Sequence, residues 1–172
     1  MTARAADNDW QHEPDGGAFD TTGWHERIAG LYGYWRSLRP APDTLPGRRH
    51  FDPVDVPAAL ASIWLLDVQR EPFRLRYRLA GTNMGATLGE DLTGRWLDEA
   101  RPKVLTVPGY FDRYRFMADT GRATWRHGPA QMTHDPYWHS LQNVMMPLAA
   151  DGRSVDMLLC ATIFFGRDGR VL

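Results

Sequence analysis

Residues 73–79 read FRLRYRL, and this stretch restricts the fold more tightly than its neighbours. Phe73, Leu75, Tyr77 and Leu79 fall on one side of an extended chain, while Arg74, Arg76 and Arg78 fall on the other. A period of two marks a strand with one buried face; a helix would spread both sets around its circumference. The next fifteen residues or so are equally directed. Gly81 ends the strand, Thr82 or Asn83 suits the cap of a helical turn through Met84 and Leu88, and Gly89 stops that turn. Asp91 and Thr93 are again capping types, Gly94 breaks the chain, and Trp96 with Leu97 restores an apolar surface.

The rest of the chain supplies partners for that strand. Ile63, Trp64, Leu65 and Leu66 form an unbroken apolar run that suits a strand covered on both faces. Asp67, Arg70, Glu71 and Pro72 make the reversal, so the two strands are read as an antiparallel hairpin. Three more strands are predicted over 123–131, 138–148 and 154–165. The last two are joined through Asp151-Gly152, a pair that readily takes positive φ. The final strand is apolar on both faces, so an element must cover its outer side. A helix over 24–38 is the candidate, with Trp24, Ile28, Leu31, Tyr32, Trp35 and Leu38 at three- and four-residue spacings and Thr21 or Thr22 as its cap. Gly30 and Gly33 each weaken it by ~1 kcal/mol relative to Ala, so it needs packing against the sheet or a second copy of the chain. Helical spacing returns over 107–118 in Val107, Tyr110, Phe111, Tyr114 and Met117, with Gly121 as the stop. Pro40, Pro42 and Pro46 keep the connector irregular, and Asp52-Pro53 and Asp55-Val56-Pro57 start short helical turns.

A chain of 172 residues with 43% hydrophobic content suits one core. Residues 1–22 are expected to be a disordered tail, leaving a single domain over 23–172. A net charge of −1 argues against a general nucleic-acid surface. Cys160 stands alone, so no intramolecular disulfide forms. There is neither a secretory signal nor a run of ~18 apolar residues, and a soluble cytoplasmic protein is expected, with no membrane contact and no output module after Leu172.

Gly81-Thr82-Asn83 and Gly89-Glu90-Asp91-Leu92-Thr93-Gly94, placed after Tyr77-Arg78-Leu79-Ala80, resemble the PAS domain. Together with Tyr34-Trp35-Arg36, Leu45-Pro46-Gly47-Arg48 and Phe51-Asp52-Pro53, they are similar to a bacterial family of single-domain PAS-like proteins over about residues 24–165. The resemblance implies an α+β fold: a five-stranded antiparallel sheet with helices on one face. The 107–118 helix would cross in front of the sheet, and the N-terminal helix would lie on the other face or in a dimer interface. It also implies a stand-alone sensory or regulatory module of bacterial signal transduction, a homodimer that binds a small ligand or a protein partner without catalysis.

Candidate pocket residues are Leu75, Tyr77, Leu79, Tyr110, Phe111, Tyr114, Met117 and Asn143, as apolar walls with a few polar tips suit a small molecule. The alternative is that the same rings fill the core. Trp24, Ile28, Leu31, Tyr32 and Trp35 are the candidates for a partner or dimer interface. No cofactor is expected. The haem-binding members of the resembled family take an axial His from the crossing helix, and none lies within 107–121; Tyr110 or Tyr114 would be the rarer ligand. Flavin photosensors use a helical Cys, whereas Cys160 lies in a strand. His127, His134 and His139, with Asp135 nearby, lack the Cys partners and rigid spacing of a zinc site, so no metal is expected. Arg74, Arg76 and Arg78, joined by Arg126, form either an anion-holding stripe or a solvated face with cross-strand acids. Arg48, Arg49 and His50 with Asp52 read as a loop anchor, with a ligand site as the alternative. GxSxG, Walker A and GxGxxG motifs are missing, and Asp98 and Glu99 are adjacent and so point apart. Two alternatives remain: a filled-core dimerisation domain, and a small enzyme on a cone-shaped α+β fold with His127 and Asp112 converging.

Overall fold

The computed structural model describes residues 9–129 and 138–172. Its strands are β1 (Trp10–His12), β2 (Ile63–Gln69), β3 (Arg74–Ala80), β4 (Thr124–Gly128), β5 (Ser140–Leu148) and β6 (Met157–Phe165). They make one antiparallel sheet in the order β1-β4-β5-β6-β2-β3. The five expected strands are β2 to β6, and β1 is added at the β4 edge. The helices are α1 (Glu26–Ser37), α2 (Thr82–Leu88), α3 (Leu97–Ala100) and α4 (Asp112–Thr120). Between β3 and β4 the chain must travel from one end of the sheet towards the other, and α2, α3, a 3-10 stretch over Pro102–Thr106 and α4 make that journey.

The pleat assigns each strand residue to one of two layers. Gln142 on β5 accepts the His25 backbone N–H at 2.7 Å, so its face is the one that α1 covers. Ile28, Leu31, Tyr32 and Trp35 are all sealed against that face, and Trp35 Nε1 donates to the Pro147 carbonyl at 2.9 Å. These four side chains are spent inside the fold and leave no free apolar stripe for the dimer interface considered from sequence. Trp24 remains half-buried and stacks on Trp125 with centroids 5.0 Å apart. The N-cap is His25, whose Nδ1 accepts from Arg27 N, instead of Thr21 or Thr22.

The leader departs most from expectation. Residues 1–8 lie outside the described residues, but 9–22 are docked. Trp10, Gln11 and His12 pair with Arg126, Trp125 and Thr124. Glu13 is buried beyond them, and its carboxylate accepts from Tyr32 Oη (2.5 Å), Arg36 Nη1 (2.8 Å) and the Ala123 amide (2.9 Å). A polar composition signals a solvated tail only while its charges lack buried partners.

Two further local corrections have a steric or pairing cause. Leu65 faces Leu79 and Leu66 faces Tyr77, so Arg78 is an extra residue in β3. That bulge shifts the alternation by one, and Leu79 is 43% exposed instead of facing the core. Gly81 is where β3 passes beneath the chain entering β2. A Cβ there would lie 2.7 Å from the Ala61 carbonyl oxygen and closer still to that of Ile63, so no larger residue fits.

Candidate functional site

The opposite face of the sheet lies beneath α4. Two rows of paired residues cross it, Arg126–Asn143–Thr162 and Met145–Cys160–Trp64, and all six are buried. Asn143 Nδ2 donates to the Ala161 carbonyl (3.2 Å) and to Thr162 Oγ1 (2.9 Å), which also accepts from Trp64 Nε1 (3.0 Å). The Ala161 carbonyl can only accept, so the amide orientation is fixed. Asn143 Oδ1 is then a buried acceptor with no donor among the described residues.

Above this row, α4 presents Arg113, Tyr114 and Met117. Arg113 Nε donates to Thr124 Oγ1 at 2.7 Å and its Nη2 reaches the Asn143 carbonyl at 3.4 Å. Burial pulls its pKa down to about 10, leaving it charged at neutral pH. Three phenols gather beside it. Tyr110 and Tyr114 place their hydroxyls 3.4 Å apart, and the Tyr77 ring lies 6.0 Å from Trp64. Burial raises the pKa of all three, and Tyr110 adds to the rise at both Tyr77 and Tyr114. Arg101 opposes the rise at Tyr77 and Tyr110, so a cation borders the group. Cys160 is fully buried, which pushes its thiol well up and leaves it unreactive.

Of the pocket candidates, Leu75, Tyr77, Tyr114, Met117 and Asn143 are buried on this side, Tyr110 and Phe111 border it half-buried, and Leu79 is elsewhere. The helix is shorter than the 107–118 expected: Gly109 takes φ 71°, and Tyr110 and Phe111 precede the first helical turn. Arg113, Thr124, Thr162 and Trp64 were not foreseen as lining. Arg113 was nonetheless signalled, since 110, 113, 114 and 117 form the buried stripe at three- and four-residue spacing.

Residues 24–102, from just before α1 to the end of α3, match the family model described as a PAS domain. That stretch is PAS-like. No curated protein and no solved structure matches the chain. The α+β sheet expected from the resemblance is therefore in place, one strand larger. In this PAS-like fold the matched part supplies α1, the β2–β3 hairpin, α2 and α3, while α4 and β4 to β6 come after it in the chain.

The remaining candidates resolve locally. Arg74 bonds Asp98 (3.0 Å) and Glu99 (2.8 Å) and stacks on Trp96, while Arg76 bonds its cross-strand neighbour Asp67 at 3.1 Å. The stripe is thus a solvated face with its own acids, and Arg126 lies with three strands between, on the other side of the sheet, bonded to Asp9. Arg48 and Arg49 hold the carbonyls of Phe51 (2.9 Å) and Ala150 (2.7 Å), a loop anchor. His127 shares the α1 face with Phe165, whereas Asp112 starts α4 on the opposite face, so they do not converge. His134 and Asp135 lie outside the described residues. Among the described residues no helix is long and apolar enough to cross a membrane.

Proposed function

We propose that this PAS-like protein is a stand-alone sensory or regulatory module that binds a small molecule between α4 and the sheet. It passes on the result by changing what it associates with and carries out no chemistry of its own. The coarse part rests on the family, whose domains generally serve sensing and regulation without catalysis. The finer part is carried by Asn143 Oδ1, buried beneath α4 without a donor among the described residues. An unmet buried acceptor costs ~1–3 kcal/mol, which a ligand O–H or N–H recovers.

The mechanism is a population shift. A ligand touching both α4 and the β5–β6 rows stabilises the arrangement in which α4 is closed over them, and only in proportion to its preference for that state. The signal then reaches a protein partner in the cytoplasm of a bacterial cell, or a second copy of the chain, through surfaces other than the apolar stripe of α1. The β3 edge is itself covered, because Gly94 N donates to the Tyr77 carbonyl (2.6 Å) and Tyr77 N to that of Arg95 (2.9 Å). No haem or flavin enters this reading.

Hydrogen exchange of the full chain, with and without fractionated small-molecule extract, tests it. One fraction is expected to slow exchange in α4 and the adjoining strands. If every fraction leaves α4 unchanged, the filled-core interaction domain is the better account.

A further inference from the structure

Resting on that ligand-binding reading, the chemistry of the occupant can be narrowed from Arg113. The residue is only 7% exposed, it lies on the face of α4 turned to the sheet, and both groups it bonds, Thr124 Oγ1 and the Asn143 carbonyl, are neutral. Among the described residues it forms no ion pair. The acid that approaches from the β1 side, Asp9, is bonded to Arg126. A guanidinium in this position is a buried cation with no ion-pair partner among the described residues, so its desolvation is only partly offset by neutral acceptors. Its planar fork is also the side chain best matched to a carboxylate. Arg101, close to the Tyr77 and Tyr110 phenols, adds a second positive charge at the border of the same region.

The neighbouring Asn143 sets a second requirement. Its Nδ2 is spent on Ala161 and Thr162, and its Oδ1 waits for a donor. The rings of Tyr77, Tyr110, Tyr114 and Trp64 supply the apolar walls between these polar points. We infer that the site under α4 takes a small organic carboxylate that also carries an O–H or N–H donor, the carboxylate on Arg113 and the donor on Asn143 Oδ1. The single Arg113 fork and the three phenols around it suit a monoanion with an apolar body better than a phosphate, which draws on more donors.

Calorimetric titration of the full chain with matched acids and amides tests this: 4-hydroxybenzoate against 4-hydroxybenzamide, and lactate against lactamide, with inorganic phosphate alongside. At least one acid is expected to bind, its amide at least tenfold more weakly. Arg113→Met is expected to abolish binding of that acid while leaving the ligand-free melting temperature unchanged or higher, because it removes a buried charge bonded only to neutral groups among the described residues. Arg78→Met, on the exposed bulge, is expected to bind as the parent does. Should Arg113→Met fail to fold, Arg113→Lys carries the test, with a tenfold or greater loss expected as the fork is removed. An amide that binds as tightly as its acid overturns the anionic class and leaves the ligand-binding reading standing. Phosphate binding that depends on Arg113, with no acid bound, overturns the carboxylate. Binding of neither acids, amides nor phosphate overturns both.

Discussion

Glu13 shows how a single charged side chain organises its surroundings. It is sealed from solvent, yet Tyr32, Arg36 and the Ala123 amide all donate to it. Arg39 also pairs with it at 3.7 Å, so Glu13→Ala would leave the Arg36 and Arg39 guanidiniums facing a gap, and breaking such a pair costs about 3–5 kcal/mol, read as a lower urea midpoint. Tyr32 links this cluster to pH. Burial, then its bond to Glu13, raises its pKa from 10.0 to about 12. A phenol raised in the folded state contributes stability that is whole below pH 10 and drains away as pH climbs towards 12. Tyr77, Tyr110 and Tyr114 shift in the same direction, while the lowered Arg113 works the other way. Phenolate absorbance should therefore rise together with loss of secondary structure above pH 10, and these tyrosines titrating freely in a folded protein would contradict the assignment. At Gly81 the forecast is steric: Gly81→Ala pushes a Cβ into two backbone carbonyls, and overpacking of this kind costs about 1–3 kcal/mol by equilibrium denaturation. Tyr77, Tyr114 and Asn143 were legible as interior residues from spacing alone. Arg113 was not, because charge argued against burial more loudly than its place in the stripe argued for it.

Among the elements, α1 is held by packing in spite of its sequence. Gly30 and Gly33 face open space, where an added Cβ would meet nothing within 4 Å. Gly30→Ala and Gly33→Ala should each stabilise the protein by about 0.5–1 kcal/mol, since no contact offsets the lost backbone freedom. A destabilising result would mean that this outer face is occupied. The N-terminal segment behaves oppositely: deleting residues 1–13 removes β1 and Glu13 together, bares the β4 edge, and should speed amide exchange in β4 before β6. The long strands were readable because seven to nine residues of pattern outvote local noise. β1 has three residues, only one of them apolar, and its partner lies more than a hundred positions away, so pattern alone could not find it. The bulge at Arg78 was equally hidden, since an inserted residue leaves FRLRYRL looking regular while turning Leu79 outward.

At the scale of the molecule, one sheet separates two layers with different roles. The α1 side is a closed packing layer built on Ile28, Leu31, Tyr32 and Trp35. The α4 side is aromatic but contains, among the described residues, a guanidinium bonded only to neutral groups and an unmet amide oxygen. That asymmetry, in a PAS-like fold, is the basis for reading the protein as a receptor for a small acid. Native mass spectrometry of the full chain, purified gently from its own source, tests the claim most directly. The account predicts a species heavier than the 19.6 kDa chain by the mass of a small organic acid, lost in Arg113→Met. A bare chain mass under the mildest conditions, unchanged by that substitution, would contradict it.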